Sequence, residues 1–156
     1  MITIKDRQRK IKIDHAQLQN QAQAALNALN YANFDLGIML TTNRTIRVFN
    51  KKYRHKDKPT DVLSFPYHDK LKPGERIVVE TEDDKNLGDL IISLEYVQKD
   101  RQKWGHTFEE HLLMLLVHGI VHLLGYDHEI DEEYLVMNKV EKKIVKSIKN
   151  KGLLVV

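Results

Sequence analysis

Three histidines at the end of a strongly apolar stretch are the residues of this chain best suited to chemistry. His118, His122 and His128 stand at offsets of zero, four and ten, with Gly125 at offset seven. Two histidines four residues apart on a helix project from one face and can reach one ion. The third would lie about 15 Å from the first on a straight helix, so the chain must turn at the glycine to bring it back. Three nitrogen ligands and an open fourth position are typical of a hydrolytic zinc centre.

The residues around this histidine triad (His118, His122 and His128) predict that it is held in a rigid setting. Residues 112–117 are all apolar, and further apolar residues are interleaved with the first two histidines. A helix that is apolar on nearly all sides is buried, and imidazoles inside a core cost several kcal/mol if they have no partner. Metal ligation satisfies them, and the apolar surroundings limit solvent access.

A second group of residues, 51–58, is dense in positive charge and is called the basic segment below. Arg54 can bind an oxyanion through two parallel hydrogen bonds, and Lys56 and Lys58 add charge beside it. Ser64 supplies a hydroxyl a few residues further on. A charge run is most often a solvated face, whereas beside a metal centre it also suits a polyanion such as RNA. Charge alone leaves both interpretations open.

Length and composition narrow the class of protein. The 156 residues predict one domain over 1–156, with a formal charge of +3 and no cysteine. Without cysteine, disulfides and thiolate zinc sites are excluded. The N-terminus lacks the pattern of a signal peptide, and no apolar run approaches the ~20 residues of a membrane span. We therefore expect a cytoplasmic protein without a membrane partner.

Hydrophobic periodicity predicts a mixture of strands and helices. The pattern has no repeat, which favours an α+β domain with a small sheet packed by helices. Thr107 and Glu110 form the pattern of a capping box at the start of the helix that carries the first two histidines. The predicted strands are 2–5, 36–40, 62–65, 77–79 and 87–92, and the predicted helices are 15–31, 43–53, 93–104, 107–124 and 131–150.

The motifs taken together resemble those of the YbeY family of bacterial single-strand-specific metallo-endoribonucleases. The resemblance rests on residues 118–128, 53–66 and 87–90, and it extends over about 36–140 in the family's order. It implies a mostly parallel four-stranded sheet with one antiparallel strand, flanked by about five helices, and a zincin-like metal site. It also implies one Zn²⁺ bound by the histidine triad, with Arg54 as the functionally important arginine.

The resemblance further implies a cellular role. Members of the family work in the cytoplasm on ribosomal RNA precursors, notably at the 3′ end of the small-subunit RNA, and in ribosome quality control. The expected partners are therefore single-stranded or ribosomal RNA and the ribosome or its small subunit. On this hypothesis Arg54 counters charge on the reacting phosphate, while Lys56, Lys58 and Ser64 contact the substrate.

Two other functions remain open at the level of sequence. The long zinc-protease motif has the same histidine offsets, but it carries a glutamate as general base where this chain has Gly119. Loss of a general base commonly costs 10²–10⁴-fold in rate, which makes a zinc-dependent peptidase the weaker alternative. A zinc-stabilised RNA- or ribosome-binding factor without cleavage fits the basic segment equally well.

Overall fold

The computed structural model describes residues 1–155, which form one four-stranded sheet and five α-helices. The α+β class predicted from the sequence is confirmed. In chain order the elements are β1 Ile2–Asp6, α1 His15–Ala28, β2 Asp35–Thr41, α2 Asn43–Arg54, β3 Val62–Pro66, a short 3₁₀ turn Glu82–Asp84, β4 Asn86–Ser93, α3 Leu94–Trp104, α4 Phe108–Leu123 and α5 Asp131–Asn150.

The sheet has the strand order β1-β2-β4-β3. Strands β1, β2 and β4 are parallel, and β3 pairs antiparallel with β4. This is the mostly parallel arrangement with one antiparallel strand that the family resemblance implied. Strand β3 lies at one edge, so one side of its backbone faces away from the sheet.

Helix α4 occupies the centre of the main core. Ten of its residues are buried, and they pack with α1, α5 and one face of the sheet. Helix α2 covers part of the opposite face through a smaller cluster built on Ile46, Leu63 and Ile91. The two helices therefore lie on opposite sides of the sheet and approach the same edge strand.

The start of α4 is close to the prediction. The Thr107 side chain accepts a hydrogen bond from the backbone N–H of Glu110, as expected of an N-cap. The Thr107 hydroxyl also donates to the Glu110 carboxylate at 3.3 Å. The capping contact is therefore made between these two residues, although the glutamate bonds the hydroxyl and not the backbone N–H.

One predicted element is wrong, and another is wrong at its end. Residues 77–79 form no strand, because the backbone N–H of Ile77 donates to the Tyr31 hydroxyl and Val78 lies in solvent with 74% of its surface exposed. Helix α1 ends at Ala28 and not near Tyr31, since Asn30 takes a left-handed backbone conformation with φ 63°. Neither error affects the residues around the histidine triad.

Among residues 1–155, no helix is both long and apolar enough to cross a membrane.

Candidate metal centre and groove

The histidine triad converges at the C-terminal end of α4. Each of the three side chains offers a ring nitrogen, and these nitrogens all lie within 4.8 Å of one another. The Nε2 atoms of His118 and His122 are 3.1 Å apart. Nitrogens at ~2.0–2.1 Å from a tetrahedral zinc ion would be about 3.3 Å apart, so this spacing fits a shared ion.

Gly125 makes the turn that returns His128 to the other two histidines. Its φ of +92° lies in the left-handed region, and a Cβ atom there would collide with the Leu71 carbonyl. The loop after β3 therefore packs directly on the turn, which only glycine permits. The turn expected at this position from the sequence is present.

The outer ring nitrogens of the first two histidines are both hydrogen bonded. His118 Nδ1 lies 2.7 Å from Glu141 Oε1, and His122 Nδ1 lies 2.8 Å from the Tyr126 carbonyl oxygen. A carbonyl can only accept, so His122 Nδ1 carries the proton, and the carboxylate favours the same tautomer at His118. Neutral rings of this kind point two lone pairs at each other across 3.1 Å. A cation between them would remove that repulsion, so the donor set fits a metal ion.

The electrostatics of the triad keep His122 neutral. The pKa of His122 is lowered to about 4, chiefly by burial and then by the neighbouring His118 and His128, against the opposing effect of the hydrogen bond to the Tyr126 carbonyl. A neutral imidazole is the form that binds a metal. The ring is therefore in its ligating form near neutral pH.

Gly119 lies where α4 packs closely on the sheet. A Cβ at this position would approach Leu90 Cδ2 to 2.9 Å and Val62 Cγ2 to 3.3 Å; Leu90 belongs to the core, and Val62 packs against it. A glutamate side chain at this position would therefore have to enter the contact between helix and sheet. The sequence showed that Gly119 stands where zinc proteases carry their general base. The structure adds that the space beside Gly119 is filled by residues of the sheet.

The histidine triad and the basic segment border one groove, a cavity of about 810 Å³. One wall carries the three histidines, and the other includes Arg54, Lys56 and residues of β3. Lys58 borders an adjoining cavity of about 470 Å³, which shares Arg54, Lys56 and His128 with the groove. The two residue groups singled out in the sequence, about 60 residues apart along the chain, thus meet at one site.

The Arg54 side chain reaches the edge strand. Its guanidinium donates a hydrogen bond of 2.9 Å to the Ser64 carbonyl, and the side chain stays largely exposed. The Ser64 hydroxyl instead donates to the Gly119 carbonyl at 3.2 Å, and Ser64 is 8% exposed. Arg54 therefore has free donors that face the groove, whereas the hydroxyl of Ser64 is used to join β3 to α4.

The outward side of β3 is partly closed to a further strand. Asp61 bonds through its backbone carbonyl to Ser93 of β4, so the alternate residues Val62, Ser64 and Pro66 face outward. The N–H of Val62 donates to the Asp61 carboxylate, the Ser64 carbonyl accepts from Arg54, and proline has no N–H. An extended peptide would find few partners along this edge.

Two groups at the site were missed in the sequence. Glu141 lies 23 residues after His118. The sequence feature that could have indicated it is an acidic residue between the buried Met137 and Ile144 of α5. The Tyr126 contact is made by a backbone carbonyl, which the types of side chain in the sequence cannot indicate. The Asp127 carboxylate accepts a hydrogen bond from the backbone N–H of His128 and so stabilises the turn.

The fold and site define an α+β protein with a three-histidine candidate metal centre in a groove whose lining carries the cations Arg54 and Lys56 and also four carboxylates, those of Asp61, Asp69, Asp127 and Glu129. A model of the family described as Endoribonuclease YbeY matches residues 3–149. The chain belongs to this family.

Individual relatives agree with that assignment. An Endoribonuclease YbeY from Aquifex aeolicus is 44% identical over 128 residues, which cover 82% of this chain and 77% of the relative. One from Carboxydothermus hydrogenoformans is 37% identical over 150 residues (95% and 97%), and one from Homo sapiens is 36% identical over 144 residues (92% and 86%). The solution structure of TM1509 from Thermotoga maritima aligns with a TM-score of 0.63 at 26% identity, over 97% of this chain and 91% of that one.

Proposed function

We propose that this protein is a metal-dependent endoribonuclease that cleaves single-stranded RNA. The observation that carries the proposal is the groove itself, because the histidine triad and Arg54 with Lys56 face one cavity. A centre with open coordination beside unpaired cations suits a phosphodiester, whose charge must be countered as it reacts. Membership of the Endoribonuclease YbeY family supports the same reaction.

The proposed cofactor is one Zn²⁺ bound by His118, His122 and His128. Three imidazoles with one further position open are the ligand set of catalytic zinc sites. When bound, the ion supplies Lewis-acid polarisation and a bound water with a pKa near ~7. Glu141 and the Tyr126 carbonyl hold the first two rings with their Nε2 atoms facing inward.

The cationic wall has a different proposed part in the reaction. Arg54 is placed to donate hydrogen bonds to a phosphate oxygen as negative charge develops there, and Lys56 and Lys58 hold the flanking phosphates. Ser64 is proposed to position the substrate indirectly. Its hydroxyl bonds the Gly119 carbonyl and so joins β3 to α4, which fixes the cationic wall relative to the triad wall.

The proposed biological substrate is ribosomal RNA. The family resemblance favours maturation of the 3′ end of the small-subunit RNA and ribosome quality control in the cytoplasm. A ribosome or small subunit would then be the partner that presents the single strand. The basic segment supports a polyanionic partner of this kind.

Two alternative functions would involve the same site. A zinc-stabilised RNA-binding factor would need the cations but no cleavage. A zinc-dependent peptidase is opposed by Gly119, which has no side chain to accept a proton, and by the edge of β3, where the Val62 N–H and the Ser64 carbonyl are already bonded and Pro66 has no N–H. Zinc peptidases need both a general base and a place for the substrate backbone.

The test uses purified protein with one single-stranded RNA, the duplex form of the same RNA, and an unstructured peptide mixture. Each is incubated with zinc-loaded protein and with protein treated with a chelator. We expect cleavage of the single strand alone, lost on chelation and restored by Zn²⁺. Mass analysis of the new RNA ends would also show whether water or the 2′-hydroxyl is the nucleophile, because the second leaves a cyclic phosphate.

The control variant is Lys103→Gln, which removes an exposed lysine from α3 outside the groove lining and should cleave at the rate of the unmodified protein. RNA binding without cleavage in the zinc-loaded protein would contradict the nuclease and favour the binding factor. Metal-dependent digestion of the peptide mixture would instead favour the peptidase.

A further inference from the structure

We propose that the outer face of α2 is a second binding site for the RNA backbone, beyond the groove. The site is formed by Arg44, Arg47 and Lys51, which we call the cationic stripe, and it leads to Arg54 at the groove. This inference rests on the proposed function, because it assigns a path to the strand that the groove would cut.

The four cations share one side of the helix. Positions 44, 47, 51 and 54 are separated by three, four and three residues, the spacing that aligns side chains along a helix. All four are exposed. The distance from residue 44 to residue 54 is about 15 Å along the axis, which is enough for several phosphates of a nucleic acid strand. Because Arg54 lines the groove, the stripe continues directly from the proposed site of cleavage.

The stripe is not explained by the stability of α2. The helix has no acidic residue in its first turn, where Arg44 lies. A cation near a helix N-terminus is typically unfavourable by 0.3–1 kcal/mol, and like charges four residues apart, such as Arg47 and Lys51, are also unfavourable. Lys51 and Arg54 alone are favourable for the helix, because they lie near its C-terminal end. Arg44 and Arg47 therefore oppose the local preferences of the helix, as functional residues often do.

The surface around the stripe is a shallow depression of about 680 Å³ lined mostly by cations. Asp57 is the acidic residue among them, and it pairs with Arg47 at 2.8 Å. Both members of this pair are about half exposed, so the pair is screened and contributes little to stability. A phosphate can therefore replace Asp57 as the partner of Arg47, and Arg44 and Lys51 remain available beside it.

Helix α5 offers a matched control surface. It is also rich in lysine, but Asp131, Glu132 and Glu133 occupy its first turn, as the helix dipole favours. Lys142, Lys146 and Lys149 are exposed, and their spacing of four and three residues aligns them on one side. Of the residues that line the groove in the described chain, none belongs to α5. Neutralising these three lysines removes the same charge from a different surface.

The experiment compares the stripe variant Arg44→Gln/Arg47→Gln/Lys51→Gln with the control variant Lys142→Gln/Lys146→Gln/Lys149→Gln. Fluorescence anisotropy measures binding to single-stranded RNAs of roughly 6 and roughly 20 nucleotides, lengths that bracket an ordinary single-strand site. Binding is measured in a His118→Ala background to prevent cleavage, and kcat and KM are measured in the zinc-loaded proteins that retain His118.

Relative to the His118→Ala parent, we expect the stripe variant to bind the long RNA about 10- to 100-fold more weakly and the short RNA with an affinity within about threefold. The slope of log affinity against log salt for the long RNA should fall by about 2, since each lost phosphate contact removes ~0.7. KM for the long RNA should rise with kcat unchanged. The melting temperature should change little, because Arg44 opposes the helix dipole, Lys51 supports it, and the Arg47–Asp57 pair is screened by solvent.

Equal binding of the long RNA by the stripe and control variants would overturn the inference, as would equal losses for the long and short RNAs. Failure of the unmodified protein to bind either RNA would overturn it together with the proposed function. A protein that binds the long RNA through the stripe but cleaves neither RNA would contradict only the nuclease, so the two failures are distinguishable.

Discussion

The two walls of the groove differ in how completely their polar atoms are bonded. On the triad wall, His118 and His122 have their outer nitrogens held by Glu141 and the Tyr126 carbonyl, and the rings are partly buried. On the opposite wall, Arg54 has one bond to the Ser64 carbonyl and lies largely in solvent. The first wall holds two of its three histidines in a fixed geometry while His128 is exposed, and the second wall keeps free charge.

This difference separates two tasks that a nuclease must perform. A metal centre needs ligands placed within a few tenths of an ångström, which requires bonded and packed side chains. A strand with one charge on every nucleotide needs cations that can adjust to it. Substitutions on the triad wall should therefore affect metal content and chemistry, and substitutions on the cationic wall should affect RNA.

The largest effect is expected from His118→Ala. Removing one of three ligands should abolish stable zinc binding and lower the rate of RNA cleavage by ~10³-fold or more. Zinc content by mass spectrometry and cleavage of a labelled single strand measure both effects. RNA affinity should stay within about twofold, because the cationic wall is intact. A large loss of RNA affinity would show that the two walls do not divide their tasks in this way.

Gly119→Glu tests whether the triad wall depends on the close approach of α4 to the sheet. The new side chain would meet Leu90 and Val62, so we expect a loss of about 3 kcal/mol in the free energy of unfolding and no peptidase activity. Urea denaturation measures the loss. The control is Met114→Glu on the same helix, where 42% of the side chain is exposed and the cost should be small. Similar values for the two variants would contradict the packing argument.

Arg54→Gln should lower the rate of RNA cleavage by ~10²-fold, the usual cost of losing a donor to developing charge. Zinc content should not change, because the Arg54 guanidinium bonds the Ser64 carbonyl and not a histidine of the triad. Arg54→Lys should recover only part of the rate, since lysine cannot bind an oxyanion through two parallel bonds. Full recovery of the rate by Arg54→Lys would show that Arg54 contributes only its positive charge and not two parallel hydrogen bonds.

Glu141→Ala should weaken zinc binding by 10- to 100-fold, because His118 loses the partner that fixes its tautomer and orientation. Competition with a chromophoric chelator gives the dissociation constant directly. Glu141→Gln keeps an acceptor for His118 Nδ1 and should lose less. If alanine and glutamine weaken zinc binding equally, the negative charge matters more than the hydrogen bond.

The smallest effect is the pH dependence of stability in the metal-free protein. The pKa of His122 is about 4 in the folded chain and near 6.5 when unfolded, so between these values the unfolded state binds more protons. The free energy of unfolding should therefore fall as pH falls from about 6.5 to 4. We expect about 2 kcal/mol after allowance for partial exposure. His122→Asn should remove this part of the curve, and an unchanged curve would contradict the assignment.

The triad could be predicted from the sequence because its geometry is local. His118 and His122 follow from the helical repeat, and the turn at Gly125 follows from the conformational freedom of glycine. The mostly parallel four-stranded sheet with one antiparallel strand came from the family resemblance, whereas the strand order and the identity of β3 as the antiparallel strand came only from the structure. Most element bounds fell within one or two residues, since apolar periodicity and N-cap residues mark them.

The remaining features depend on contacts between distant parts of the chain. Glu141 reaches His118 only after α5 has packed on α4, and no spacing along the chain encodes that contact. Residues 77–79 have the composition of a strand but lack a partner strand, because the Tyr31 hydroxyl takes the Ile77 N–H. The hydroxyl of Ser64 suggested a ligand for substrate, and its bond to Gly119 is visible only when β3 lies against α4.

The closed edge of β3 also bears on how copies of this protein behave in concentrated solution. An edge strand with free N–H and C=O groups invites a strand from a second copy, which is how many sheets grow into aggregates. Here Asp61, Arg54 and Pro66 remove such groups at the mouth of the groove. The residues that shape the groove thus also keep it from becoming a surface for self-association.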